Sequence, residues 1–125
     1  MSGVPTVSRI VRTAPETVWE TLVDVDAWPR WGPTVARAEL DHAGPLGRGS
    51  RGRIWTPVGV VLPFTIVEFE PQRHWKWAVA GIPATRHAVE PVDGGCRVTF
   101  GAPWWATAYL PVCVIALDRI ARMAR

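Results

Sequence analysis

Among the side chains able to do acid–base or nucleophilic chemistry, one stands where the local pattern turns it inward. In the stretch 85–90, Arg86 and Glu90 belong to the solvent side of a strand, which puts His87 and Val89 on the inner side. An imidazole on an apolar face must find hydrogen-bond partners, and it titrates near neutrality. His87 is therefore a satisfied core histidine, a histidine at the cavity mouth meeting water, or a polar anchor or general base. Tyr109, inward on a later helical pattern, is its natural partner, and a Tyr–His pair could orient a carbonyl or a phenol. The pattern places no carboxylate beside them, so an acid–base triad is not expected. Cys113 also faces inward, but without a basic neighbour to lower its pKa it reads as a small hydrophobe. Cys96 and Cys113 form neither a disulfide framework nor a metal-ligand spacing, so no metal and no cofactor is expected.

These residues need elements to hold them. The stretch 4–12 is rich in β-branched residues and reads as a first strand. Thr13 and Glu16 have capping-box spacing and Pro15 suits a first turn, while Val18, Trp19 and Leu22 make one apolar stripe of a helix. Asp24 or Asp26 can cap a second short helix carrying Trp28 and Trp31, which Gly32-Pro33 ends. Strands are expected over 35–41, 51–56, 60–70, 74–80, 85–90 and 96–100, with Asp93-Gly94-Gly95 as a hairpin turn. Pro63 marks an edge or a bulge. Alternation sends Val67, Phe69, Trp75, Trp77, Val98 and Phe100 inward. From 103 to 125 the period becomes helical, with Trp105, Tyr109, Val112, Cys113, Ala116, Leu117, Ile120 and Met123 on one face and Asp118, Arg122 and Arg125 opposite. Pro111 should kink this one long helix. The sum is an α+β chain: a strand, two short helices, an antiparallel meander and a long terminal helix.

Composition narrows the class. With 125 residues, 48% hydrophobic and 20% charged, the expectation is one domain spanning 1–125 with a real core. Eight tryptophans are more aromatic bulk than so small a core requires, so some should line a pocket or an interface. The net charge of +3 is spread without runs or a recognition motif, so no nucleic-acid partner is expected. The apolar stretch 102–117 is too short to span a bilayer, and MSGVPTV has no secretory pattern; a cytoplasmic protein with reduced thiols is expected.

At the residue level, APETVWETLVDVDAWPRW resembles the opening of the SRPBCC superfamily, the START-like group with the polyketide cyclase/dehydrase-like proteins. Ala14-Pro15, Val18-Trp19, Leu22, Asp24 and Trp28-Pro29 with Trp31 carry that resemblance. Further along, GRGSRGR, IVEFEPQRHWKW and VEPVDGGCRVTF resemble later segments of the group in the same order. The chain departs from the group in its shortness and in the very apolar APWWATAYLPV that opens its last helix. The resemblance implies a helix-grip fold, a curved antiparallel sheet of about seven strands wrapped around the C-terminal helix. It also implies a cavity between them, since members bind lipids, sterols, polyketides, quinones or plant hormones. It brings no universal catalytic motif.

Three functions follow as alternatives. One is a carrier or sensor for a small apolar ligand (aromatic, polyketide-like or lipid-like), lined by Val67, Phe69, Trp75, Trp77, Val89, Val98, Phe100, Trp105, Cys113 and Leu117. Another is a cyclase/dehydratase-type enzyme using His87 and Tyr109 in proton transfer. The third is a protein-interaction or membrane-surface module. It rests on Trp104, Pro111, Val114 and Ile115, which fall opposite the inward stripe and offer an apolar patch for a homodimer or a peripheral membrane contact, unless the loop 42–48 covers them.

Overall fold

The computed structural model describes residues 5–124; Val4 and Arg125, placed above on the first strand and on the outer face of the last helix, lie outside the described residues. Seven strands form one antiparallel sheet: β1 (Thr6–Val11), β2 (Arg37–Leu40), β3 (Arg51–Trp55), β4 (Val61–Glu70), β5 (His74–Val79), β6 (Ile82–Val92) and β7 (Gly95–Gly101). Their order is β1-β7-β6-β5-β4-β3-β2, a meander that β1 completes by pairing with β7. The helices α1 (Pro15–Val23), α2 (Trp28–Trp31) and α3 (Leu110–Met123) complete the helix-grip fold.

Local chemistry explains most boundaries. Pro15 opens α1, but the expected capping box does not form. Thr13 lies one residue before the cap, Ala14, and its hydroxyl instead donates to the Ala124 carbonyl at 2.9 Å, pinning the end of α3. Asp24 caps the short 3-10 turn Val25–Ala27, accepting from the Asp26 amide at 3.0 Å. Asp93-Gly94 forms the two-residue β6–β7 turn, with Gly94 at φ +79°, a conformation glycine adopts without strain. Pro63 lies inside the sheet, and its missing N–H leaves the end of the β4–β5 ladder bonded from one side only. The β4–β5 ladder begins at Phe64, and only the Pro63 carbonyl is used beyond it, by the Ala80 amide at 2.8 Å.

Two expectations, one for a strand and one for the terminal helix, need correction. Val67 does not face the interior. A bulge between Ile66 and Glu68 inserts Val67 as an extra residue, so Ile66 is fully buried while Val67 turns to solvent beside Glu68. The terminal segment is not one helix either. Residues Trp104–Tyr109 form a 3-10 helix with non-helical backbone at Ala106, and α3 starts only at Leu110. Pro111 is the cause: lacking an amide proton it cannot bond the Thr107 carbonyl, which takes the Leu110 amide instead. What was expected as a kink is a new helix start, with Pro111 in its first turn.

Helix α3 packs on β1 and β7, burying Cys113, Ala116, Leu117, Ile120 and Ala121. Asp118 is not on a free solvent face: it pairs with Arg9 of β1 at 2.7 Å and with Arg122 at 2.8 Å. The rest of the concave side is filled by α1 and α2, whose Trp19, Trp28 and Trp31 join Trp75 and Trp77 of β5 in one core. Five of the eight tryptophans are thus spent on packing.

Candidate functional site

Strands β5 and β6 present Trp75, Trp77, Thr85 and His87 to the interior by regular alternation, although their pairing shifts register between Lys76 and Ala78. Around them the aromatic rings close ranks. Trp75 stacks with Trp28 (5.1 Å between ring centres) and with His87 (3.9 Å), and Phe100 and Trp31 meet His87 edge-on at 4.7 and 5.8 Å. What remains is an inner chamber of about 30 Å³, walled by Trp28, Trp31, Trp75, His87, Tyr109 and Cys113 among others. It has room for one or two waters.

The larger space lies beside it. Between the ends of β3–β6 and the 3-10 helix is an open cavity of about 320 Å³, lined by Ile54, Leu62, Val79, Pro83, Ala84 and Trp105 among others, and by no charged residue. That volume is in the range of about 300–1,000 Å³ usual for small-ligand sites. Thr34, Trp77, Thr85 and Tyr109 border both spaces and form the partition between them. The Tyr109 hydroxyl and Thr34 Oγ1 lie 2.8 Å apart. Two hydroxyls sharing one hydrogen bond leave one O–H free to donate, whichever way that bond runs.

His87 does not pair with Tyr109. Its Nδ1 lies 3.4 Å from the Trp75 carbonyl, which can only accept, so Nδ1 carries the proton. Nε2 then accepts from the Thr85 hydroxyl at 2.9 Å, and Thr85 Oγ1 accepts from Trp77 Nε1 at 3.0 Å. Every polar atom of the imidazole is engaged. Burial, aided by nearby Arg86 and only partly offset by the Trp75 carbonyl, lowers the His87 pKa to about 3, so the ring is neutral at physiological pH. The expected titration near neutrality is absent for the same reason: a charged imidazole here would lose its water without gaining a carboxylate. Burial also raises the Tyr109 pKa, against the opposing Thr34 hydrogen bond, and pushes the Cys113 thiol up to about 11. Around neutrality the partition is an uncharged, donor-rich surface. The Nε1 atoms of Trp31 and Trp75 are buried without partners, two further donors at the inner chamber.

The residues expected at one pocket are divided by the structure. Trp75, Trp77, His87, Phe100, Tyr109 and Cys113 border the inner chamber, and Trp77, Tyr109 and Trp105 border the open cavity. Trp105 is half-exposed rather than inward. Val89, Val98 and Leu117 are packed into the core away from both walls. Phe69 packs edge-on against Trp19 at 5.6 Å, beneath α1. Thr34 and Thr85 were missed as site residues. Thr85 shares the parity of His87 and Val89, so alternation carries the signal for it; Thr34 lies in the turn after α2, where no periodicity applies. Among the described residues no cluster of His, Cys, Asp or Glu is arranged to hold a metal, and no helix is long and apolar enough to cross a membrane.

Residues 5–122 match the family described as polyketide cyclase / dehydrase and lipid transport. An uncharacterized protein of Mycobacterium tuberculosis is 27% identical over 93 residues, 69% of this chain; the match spans 56% of that relative, little more than half its length. Among solved structures, XoxI of Bacillus cereus superposes with a TM-score of 0.74 at 16% identity, covering 98% of this chain and 96% of that one. DynU16, a protein of the dynemicin biosynthetic locus, does so with a TM-score of 0.68 at 16% identity, covering 98% of this chain and 47% of its own.

Proposed function

The chain belongs to the polyketide cyclase / dehydrase and lipid transport family, and from that premise we propose that it carries or senses a small apolar ligand bearing an acceptor oxygen. The observation that supports this most is the open 320 Å³ cavity, uncharged throughout and bordered by the Thr34–Tyr109 hydroxyl pair. An aromatic, polyketide-like or lipid-like body fits such walls, and a carbonyl or ether oxygen fits the hydroxyl that the pair leaves free. Residues 1–125 act as one domain, in the cytoplasm, with both thiols reduced. Binding without turnover is favoured over cyclase or dehydratase chemistry because His87 has no free lone pair and a pKa far below neutrality. Native mass spectrometry of the purified protein tests the reading. An added mass that organic extraction removes is expected, and the extracted molecule should be uncharged and oxygen-bearing. A co-purified ligand with a permanent charge, or steady conversion of it by the protein, would contradict the proposal.

A further inference from the structure

Three stretches that build the mouth of the open cavity, 54–67, 77–85 and 98–117, contain no Asp, Glu, Lys or Arg, in a chain where such residues make up 20%. They are far apart in sequence, and the sheet brings them to one end of the molecule: the β3–β4 turn, the β5–β6 turn and the 3-10 helix before α3. Large apolar side chains stand exposed on all three: Val58 at 85%, Ile82 at 54%, Trp104 at 76% and Trp105 at 54%. Val114 and Ile115, a turn further along α3, continue the patch. The loop 42–48 does not cover it, since Trp104 is open to solvent. A surface turn facing water would normally carry charge, and tryptophan favours a boundary where one end of the ring is apolar and the other wet.

We propose that this mouth docks on a lipid bilayer surface, with the two turns and the Trp104–Trp105 corner entering the boundary between head groups and acyl chains. Charge arrangement selects the bilayer. Behind the uncharged tips, on the β2–β3 flank, Arg37 and Arg53 lie over the Trp55 ring at 4.6 and 5.4 Å and share the single carboxylate of Glu39, leaving one net positive charge there. Apolar tips with a basic flank match acyl chains beneath anionic head groups. The docked orientation turns the cavity mouth to the membrane, so a ligand would pass between the two without crossing water; that last step rests on the proposed function, and the docking itself does not.

Vesicle co-sedimentation tests the docking, using phosphatidylcholine vesicles and vesicles of equal parts phosphatidylcholine and phosphatidylglycerol. Wild type should bind the anionic vesicles more tightly, with a blue shift of tryptophan emission. The variant Val58→Ser/Val60→Ser/Trp104→Ser, all outside the cavity lining, should lose about tenfold or more in partitioning. All three side chains are exposed, so circular dichroism should show the variant folded, and its affinity for Nile red in vesicle-free buffer should be unchanged. Vesicle binding by wild type without Nile red binding would leave the docking standing and remove the ligand reading. Wild type that ignores both vesicle types would overturn the docking, as would a folded variant that binds them as well as wild type. A wild type that is dimeric by light scattering, is made monomeric by the three substitutions and ignores vesicles would assign the patch to a second copy.

Discussion

A neutral histidine buried at the centre of the sheet makes the protein sensitive to mild acid. In the unfolded chain His87 takes up a proton near the ordinary pKa of 6.5; in the folded protein it does so only near about 3. Between those values the unfolded state binds a proton that the native state refuses, so stability falls as pH falls. The slope approaches about 1.4 kcal/mol per pH unit, and the loss between pH 7 and pH 5 comes to about 2 kcal/mol. Over that interval the size of the loss is set by the unfolded pKa, provided the folded value lies below about 4, and most carboxylates have yet to titrate. The perturbation is His87→Gln, which keeps a polar amide beside Thr85 and the Trp75 carbonyl but cannot take the proton. Urea unfolding of both proteins at pH 7, 6 and 5 gives the two slopes, and a lower stability of the variant at neutral pH does not disturb the comparison. Wild type should lose about 2 kcal/mol more than the variant. Parallel curves would refute the argument that the imidazole is held neutral by burial.

The β4 bulge predicts a contrast between neighbours: Ile66→Ala should cost about 2–5 kcal/mol, while Val67→Ala stays within about 0.5 kcal/mol, both read by urea denaturation. Gly52→Ala should destabilise by about 1–3 kcal/mol or prevent folding, because its Cβ would sit 2.2 Å from the Glu39 carbonyl oxygen and 2.7 Å from the Phe64 ring. Thermal denaturation checks it. Thr34→Val/Tyr109→Phe, which removes both hydroxyls of the pair, should weaken an aromatic ketone by about fivefold in a binding titration, the worth of about one neutral hydrogen bond, and leave a pure hydrocarbon of the same shape unaffected.

Much of the architecture is legible in residue pattern alone. Turn residues such as Asp93-Gly94 mark strand ends, alternation along β5 orients Trp75 and Trp77, and the period of α3 places Cys113, Ala116, Leu117 and Ile120 inward. Errors arise where a single backbone irregularity resets a rule that assumes regularity. Val67 is turned out by a bulge, which alternation cannot see, and Trp105 is turned out because Pro111 restarts the helix after it. The site is harder to read than the fold. Whether tryptophans fill a cavity or border it depends on where α2 puts Trp28 and Trp31, a long-range packing outcome with no local signature. The partners of His87 are of two kinds: Thr85 is local, two residues back on the same face of β6, while the Trp75 carbonyl comes from β5 and has no local signature. Sequence can say that an inward imidazole must be satisfied, but not by what.

Ligand should occupy the open cavity between the sheet ends and the 3-10 helix, and a paired titration with Nile red reads that occupancy. Ala84 lines that cavity and not the inner chamber, so Ala84→Phe would place a ring in the open space alone of the two. In wild type, the dye should bind and quench tryptophan emission, since Trp77 and Trp105 border the cavity. Ala84→Phe, with an unchanged melting temperature, should lose both dye binding and quenching. A folded Ala84→Phe protein that binds the dye with wild-type affinity would contradict it.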